Sequence, residues 1–132
     1  MSFGIKIRPS DKLFSQYIRL RDSKCMRCSS LVQFNSAGMP ISHQASHFQG
    51  RRKENTRFDP ENVDTMCGAC HQYLGANPYE HVAWQMKYKG RTIVEGVIIR
   101  SNSYKKRDDK MEVIIWRAAL KTLTNTSKSV KL

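Results

Sequence analysis

Apolar residues near the N-terminus recur three and four positions apart, which is the spacing of one face of an α-helix. They are Leu13, Phe14, Tyr17 and Ile18. Ser10 precedes this run and Asp11 falls in its first turn, a pattern typical of a helix N-terminus. We therefore predict a helix from Ser10 that packs this face on the rest of the domain. Residues 1–9 alternate weakly, which fits a short strand, an ordered arm or a frayed terminus.

The second half of the chain also contains signals for the starts and ends of helices. A helix that begins at Gly68 is expected to end within residues 75–78, where glycine and proline interrupt it. The next helix should begin at Pro78 or Tyr79 and stop at Gly90. Residues 92–100 are ambiguous, because their β-branched composition favours a strand while their apolar positions have helical spacing.

Two further segments complete the pattern. Residues 31–34 predict a strand, and residues 35–38 have the composition of a turn. A last helix is expected from Asp108 or Asp109, before a frayed, basic end at residues 125–132. Its apolar side would contain Met111, Ile114, Ile115, Ala118, Ala119 and Leu123, widened by Trp116. Such a face could fold on a core of its own or join a second subunit.

The composition is that of one small, strongly basic domain. The chain has 132 residues, of which 26% are charged and 39% hydrophobic, and it has no apolar run of about 20 residues that could span a membrane. The formal net charge is +12. A charge of this sign favours nucleic acid as the partner, because basic side chains release the counterions of phosphates. A merely soluble cationic surface is the alternative.

Two Cys-x2-Cys pairs, Cys25 with Cys28 and Cys67 with Cys70, predict a structural zinc site of four thiolates. The alternatives are four reduced, buried cysteines or a disulfide framework. The chain shows no apolar leader, so we expect a reducing compartment. Four thiolates and one Zn²⁺ together contribute −2, which would bring the net charge from +12 to about +10. The loop between the pairs exceeds the roughly 15–20 residues of a simple zinc ribbon.

The segment inside this loop resembles the HNH family of endonucleases, whose fold is the ββα-metal finger. The matching motifs are Ala-Ser-His-Phe at 45–48, Thr-Arg-Phe-Asp-Pro-Glu-Asn at 56–62, Cys-Gly-Ala-Cys-His at 67–71 and Gly-Ala-Asn-Pro at 75–78. The likeness is closest to the phage NinG/Rap group and to the endonuclease VII type. It implies strands at 41–48 and 62–66 followed by a helix that carries His71. It also favours a helix at 92–100.

The resemblance implies three catalytic residues. His47 would be the general base, His71 a ligand of the catalytic cation, and Asn62 the residue that holds His47 in orientation across the loop. A neutral imidazole can accept a proton from water near pH 7, and a divalent cation such as Mg²⁺, Mn²⁺ or another transition metal can stabilise phosphate charge. Taken singly, each histidine could instead be an ordinary core or surface residue, and Asn62 could simply start a turn.

One position departs from the family pattern. Many HNH enzymes carry an aspartate before the first histidine, where it binds the metal, and this chain has Ser46. A hydroxyl is a weaker ligand than a carboxylate, so His43, His81 or a water could complete the shell. On an extended strand His43 would share a face with His47, and Ser46 would point to the other face. A shell rich in imidazole would favour Mn²⁺, Ni²⁺ or Zn²⁺ over Mg²⁺.

A polar loop next to the expected base carries three consecutive cations, Arg51, Arg52 and Lys53. They are expected to hold DNA phosphates, and a solvated loop is the alternative. Arg57 is expected either to pair with Asp59 or to contact the substrate.

These expectations combine into one hypothesis. The chain would be a single α+β HNH nuclease domain over residues 1–132, with a zinc-stapled ββα core at about 25–78 and a helical extension at about 79–124. It would cut duplex or branched DNA, leaving a 5′-phosphate and a 3′-hydroxyl, in the cytoplasm of a bacterium that hosts a phage or prophage. Action on two strands would need a homodimer. A zinc-stapled DNA-binding protein without catalysis is the rival hypothesis.

Overall fold

The computed structural model of the protein describes the backbone of residues 6–130 and the side chains of residues 6–125. Within these residues the fold is α+β, with six α-helices and one two-stranded antiparallel sheet. In chain order the elements are α1 (Pro9–Asp22), β1 (Gln44–His47), α2 (Glu54–Arg57), a 3₁₀ turn (Pro60–Asn62), β2 (Val63–Met66), α3 (Gly68–Ala76), α4 (Pro78–Lys89), α5 (Arg91–Ser101) and α6 (Asp109–Val130). The prediction for residues 1–5 lies outside the described residues.

Helix α1 begins at Pro9 with Arg8 as its N-cap, so Ser10, which the sequence pattern marks as the helix N-terminus, lies inside the first turn. The backbone N–H of Arg8 donates to the Asp11 carboxylate over 2.7 Å, and Pro9 takes the first helical position, where its missing N–H costs nothing. The helix ends at Ser23, which has a left-handed φ of 59°. Phe14 and Ile18 are buried, so the predicted apolar face is confirmed.

The two strands form a hairpin in which Ala45 lies opposite Thr65 and His47 opposite Val63. Paired residues project from the same face of a sheet, so these four residues share one face of the hairpin. That face packs on α1, because Ala45 and Val63 share a core cluster with Phe14.

The opposite face of the hairpin carries Ser46, Asp64 and Met66. Met66 shares a second core cluster with Leu74 of α3, and Asp64 accepts a hydrogen bond of 2.8 Å from Gln85 of α4. The hairpin is therefore covered by α1 on one face and by α3 and α4 on the other.

The extended segments are shorter than predicted. Residues 31–34 form no strand, since only isolated bridges pair Lys24 with Leu31 and Phe34 with Pro40. The strand expected over residues 41–48 is reduced to Gln44–His47. His43 has a left-handed φ of 67°, which breaks the extended backbone just before Gln44.

The helices of the second half lie where the sequence predicts them, with one correction in α6. Residues 91–101 form a helix, so the helical spacing of the apolar residues was a better guide than the β-branched composition. In α6 the buried stripe is Glu112, Trp116 and Leu120, whereas Ile114 is 61% exposed, so the predicted apolar side is wrong except for Trp116, which was expected to widen it. Trp116 sets which side of α6 faces the core, because the centroid of its ring lies 4.6 Å from that of the Phe14 ring. The helix also continues to Val130, beyond the predicted frayed start at residue 125.

None of the helices within residues 6–130 combines the length and the apolar character that crossing a bilayer requires.

A buried ion-pair network joins α1 to α2. The Arg57 side chain is 2% exposed and donates over 2.6 Å to Asp11, itself 3% exposed, and over 3.3 Å to Glu54. The prediction that Arg57 contacts DNA or pairs with Asp59 is corrected here, because its guanidinium is enclosed and Asp59 pairs with Arg100 over 2.8 Å.

Replacing Arg57 with methionine should lower the free energy of unfolding by about 3–5 kcal/mol, because it removes the guanidinium that contacts the buried Asp11 carboxylate most closely. Urea denaturation at pH 7 measures this change. Arg91→Met is the matched control, since the Arg91–Glu95 pair is 83% and 50% exposed. That control should cost about 0–1 kcal/mol. Equal losses in the two variants would contradict the structural role assigned to Arg57.

Candidate functional site

The four cysteines converge as the sequence predicts. Cys25 and Cys28 lie after α1, Cys67 is the N-cap of α3 and Cys70 lies in its first turn. The four Sγ atoms all lie within 4.8 Å of one another, and those of Cys28 and Cys67 are 3.7 Å apart. A tetrahedral zinc site with bonds of about 2.3 Å places its sulfurs about 3.8 Å apart. The cluster therefore fits a structural metal such as zinc.

Hydrogen-bond donors around the cluster suit thiolate ligands. The backbone N–H of Cys28 donates to the Cys25 sulfur over 3.5 Å, and that of Cys70 donates to the Cys67 sulfur over 3.4 Å. The Arg27 guanidinium lies 3.4 Å from the Cys70 sulfur. All four cysteines are free thiols, so the alternative of a disulfide framework is excluded.

Zinc removal should destabilise the whole hairpin region. We expect elemental analysis to find one zinc per chain, and a strong chelator to abolish cooperative thermal unfolding followed by circular dichroism, because metal binding contributes directly to folding. Cys67→Ser should lose the zinc, while Ser36→Ala in an exposed turn should keep it. A chelated protein with an unchanged melting temperature would show that the cluster needs no metal.

A cleft of about 420 Å³ runs along β1 from α1 to α3. His47 and His71 both line it, and so do the side chains of Arg19 and Arg51. Two imidazoles that lie 24 residues apart in the sequence are thus brought to one opening, beside two guanidinium groups. Such a combination can bind an anion and exchange protons with it.

The tautomer of His47 follows from its hydrogen bond. Its Nε2 lies 2.9 Å from the Arg57 carbonyl oxygen, which can only accept, so Nε2 carries the proton and Nδ1 keeps a lone pair. Burial, aided by the charge of Arg51, lowers the pKa of His47 from 6.5 to about 4. The ring is therefore neutral near pH 7 and can accept a proton at Nδ1.

Asn62 hydrogen-bonds to the backbone of the loop that follows His47. Its Nδ2 donates to the carbonyl oxygens of Gln49, over 2.9 Å, and Thr56, over 3.0 Å. Its Oδ1 accepts from the Gln49 N–H over 2.7 Å. Asn62 does not bond to His47, but it fixes the backbone next to the Arg57 carbonyl that His47 contacts. Its predicted role in orienting His47 stays a prediction.

The residues predicted to bind the catalytic cation differ in whether their side chains already have hydrogen-bond partners and in which face of the hairpin they occupy. His71 lies in the first turn of α3, and its Nδ1 is buried without a hydrogen-bond partner among the described residues. The ring nitrogens of His43 are engaged instead, Nδ1 with the Ser42 hydroxyl at 2.9 Å and Nε2 with Ser30 at 3.1 Å. Ser46 is buried on the hairpin face opposite that of His47. The structure therefore brings His43, with its ring nitrogens engaged, to the cleft of His47 and His71, but it does not bring Ser46 there.

The basic loop is split between the cleft and the surface. Arg51 is half-buried at the cleft, with its Nε 3.7 Å from the Asp11 carboxylate. Arg52 and Lys53 are exposed, and Lys53 donates to the Asn102 side chain over 3.1 Å.

Sequence reasoning missed Arg19 as a residue of this cleft. Its guanidinium is held by the Ser42 carbonyl at 3.2 Å, and burial lowers its pKa. Ser15, one helical turn earlier on α1, lines the same opening. The spacing of four between these two polar residues was the available signal, because it places them on one side of the helix beside the apolar stripe.

Known proteins offer no direct guide to this site: no family model matches the chain, and neither the curated proteins nor the solved structures contain a significant match. The inference of function therefore depends on the cysteine cluster, the cleft and the positive charge of the chain.

Lowering the pH should destabilise the protein partly through His47. Because the pKa of His47 is about 4 in the folded state and 6.5 when unfolded, the unfolded chain binds the proton first. Stability is thus complete above pH 6.5 and is lost as the pH falls towards 4, by on the order of 2–3 kcal/mol. His47→Gln, which retains an N–H donor, should reduce this loss when urea denaturation is compared at pH 7.5 and 4.5. An identical pH dependence in both proteins would refute the buried, neutral state of His47.

Proposed function

We propose that the protein is a metal-dependent endonuclease of the HNH type that hydrolyses phosphodiester bonds in DNA. The observation that carries this proposal is the single cleft lined by neutral His47 and by His71. The order of strand, strand and helix in β1, β2 and α3 supports it, as does the four-cysteine cluster beside them. This order is what a zinc-stapled ββα-metal finger requires.

The proposed chemistry begins at His47. With its proton held on Nε2 by the Arg57 carbonyl, its Nδ1 accepts a proton from a water molecule that attacks phosphorus. Asn62 donates to the carbonyl of Thr56, the residue before Arg57, and would thereby act as a positioning residue for the segment that contacts His47. Such an arrangement limits the ring rotation that would separate base and water.

The substrate phosphate would be held by the charged residues of the cleft. Arg19 is held by the Ser42 carbonyl, and the Arg51 Nε lies 3.7 Å from Asp11 without a hydrogen-bond partner among the described residues, so both guanidinium groups are available to a phosphate. His71 Nδ1 fits one ligand of a divalent cation, which when bound supplies charge for the phosphate and for the departing oxygen. The exposed Arg52 and Lys53 would extend the phosphate track along the DNA backbone.

The finer parts of the proposal are the substrate and the setting. The resemblance to the NinG/Rap and endonuclease VII groups makes branched recombination intermediates the substrate to test first, with plain duplex as the comparison. Since one cleft cuts one strand, resolution of a junction would need two copies of the chain. A phage or prophage gene acting in the bacterial cytoplasm fits this assignment.

A DNA-binding protein without catalysis is the second candidate. It is favoured by one observation, namely that the position before His47 is Ser46 and not a carboxylate. Under this candidate, the basic surface and the cysteine cluster would serve binding alone.

His47→Ala separates the two candidates. We expect the wild-type protein to nick supercoiled plasmid in at least one of Mg²⁺, Mn²⁺, Co²⁺ and Ni²⁺, and the variant to be about 10²–10⁴-fold slower because it lacks the general base. DNA affinity in a gel-shift assay should be unchanged. Ser36→Ala, in an exposed turn away from the cleft, is the control and should nick normally. Wild-type protein that binds DNA but never nicks it would support the candidate without catalysis.

A further inference from the structure

We propose that the polar side of α1 binds the DNA strand that flanks the cleaved phosphate, with a neighbouring phosphate held in a second cavity at Lys12 and Gln16. The inference deepens the proposed function and rests on it in naming the ligand as DNA. Helix α1 contributes none of the motifs at 45–78 that resemble the HNH family, so this contact is argued from cavities and charges.

Two cavities meet on the surface of α1. The cleft that contains both candidate histidines and a second cavity of about 330 Å³ have three lining residues in common, Ser15, Arg19 and Arg51. Beyond this shared wall, the second cavity is also lined by Ile7, Asp11, Lys12 and Gln16. An extended ligand in the cleft therefore has a continuous path along α1 into the second cavity.

The polar side of α1 has the length needed to contact a polymer. Lys12, Gln16 and Arg19 recur three and four positions apart, so they lie on one side of the helix. From Lys12 to Arg19 this side extends about 10 Å along the helix axis, at about 1.5 Å per residue. Phosphates of one strand follow one another every 3.4 Å or so along the duplex axis, so this side spans more than one of them.

The two arginines of the shared wall carry charge that nearby carboxylates do not match. Within residues 6–125, the Arg19 guanidinium contacts carbonyl oxygens and no carboxylate, since its Nε donates to Ser15 over 3.3 Å and its Nη1 to Ser42 over 3.2 Å. The buried Nε of Arg51 has no hydrogen-bond partner in that part of the chain. Burial lowers the pKa of both guanidinium groups, as expected for partly desolvated cations. A bound phosphate would supply the missing negative charge.

Asp11 also lines the second cavity, but its charge is already compensated. Arg57 donates to both of its carboxylate oxygens, over 3.0 and 2.6 Å. In the ion-pair network around it, the three guanidinium groups of Arg8, Arg51 and Arg57 outnumber the carboxylates of Asp11 and Glu54 by one. The network that forms one side of the cavity is therefore cationic.

The outer edge of the second cavity offers the two kinds of contact that a nucleic-acid strand uses. Lys12 is exposed and has no ion-pair partner among the described residues, so its ammonium group can meet a phosphate. Ile7 is 50% exposed and can pack on the less polar deoxyribose between two phosphates. An inorganic anion would use only the first of these contacts.

The test is the salt dependence of DNA binding by the zinc-loaded, full-length protein. Fluorescence anisotropy with a labelled duplex, without added divalent cation, gives the slope of log K against log[NaCl] between about 50 and about 200 mM. Lys12→Gln should reduce the magnitude of this slope by about 0.9, the value for one phosphate contact, and should do so equally for duplexes of different sequence. Gln16→Ala keeps the charge, so it should weaken binding by about 2–10-fold, as for one lost hydrogen bond, without changing the slope.

Lys87→Gln is the matched control. It removes the same charge from an exposed position on α4, which covers the other face of the hairpin, and it should leave the slope unchanged. An unchanged slope in Lys12→Gln, an equal reduction in Lys12→Gln and Lys87→Gln, or a wild type that does not bind the duplex overturns the inference.

No step of this test requires cleavage, so the two proposals are judged separately. A wild type that nicks plasmid while Lys12→Gln leaves the slope unchanged would refute the strand contact on α1 alone. A wild type that never nicks while Lys12→Gln reduces the slope would refute the nuclease alone and leave α1 as a DNA-binding surface.

Discussion

The convergence of four cysteine sulfurs is the constraint on which the rest of the structure depends. The pair after α1 and the pair at the start of α3 meet although Cys28 and Cys67 are 39 residues apart, and everything between them is folded as a closed loop. Only eight residues between Cys28 and Cys67 belong to strands, so the hydrogen bonds of the sheet alone would stabilise the hairpin weakly. The cluster fixes the start of α3, and through it the position of His71 relative to β1.

Local signals in the sequence were sufficient for α1, α3, α4, the start of α6 and the cysteine cluster, whereas α2 was not predicted and α5 was favoured only by the family resemblance. Proline at Pro78 and glycine at Gly90 mark helix ends by their own backbone preferences, so α4 was predicted within one residue. For α1 the prediction relied on Ser10 and Asp11 and overlooked Pro9, which takes the first helical position. The pairs of cysteines carry their spacing in the sequence. For the same reason the motif placed His47 and His71 as site candidates, and the structure brings both to one cleft.

The features that the sequence did not predict depend on contacts between residues that are far apart in the chain. The rotation of α6 depends on where Trp116 finds Phe14, and that contact joins residues that are far apart in the chain. Arg57 looked like a surface cation because its partner, Asp11, lies 46 residues earlier. The cleft role of Arg19 and the enclosure of His81 likewise depend on elements packed together from distant segments, which no local spacing can reveal.

Arg57 links two functions that are usually separate. Its side chain anchors α1 through Asp11, while its carbonyl oxygen holds the Nε2 proton of His47. A shift of α1 that moves this guanidinium would also move the Arg57 carbonyl and so change the orientation of the His47 imidazole. This would hold even though α1 itself contributes no group that transfers a proton. Under the proposed nuclease function, substitutions on the buried side of the first helix would alter turnover at a distance, and tolerance to mutation should be lowest at Arg57, which contacts both α1 and the proposed general base.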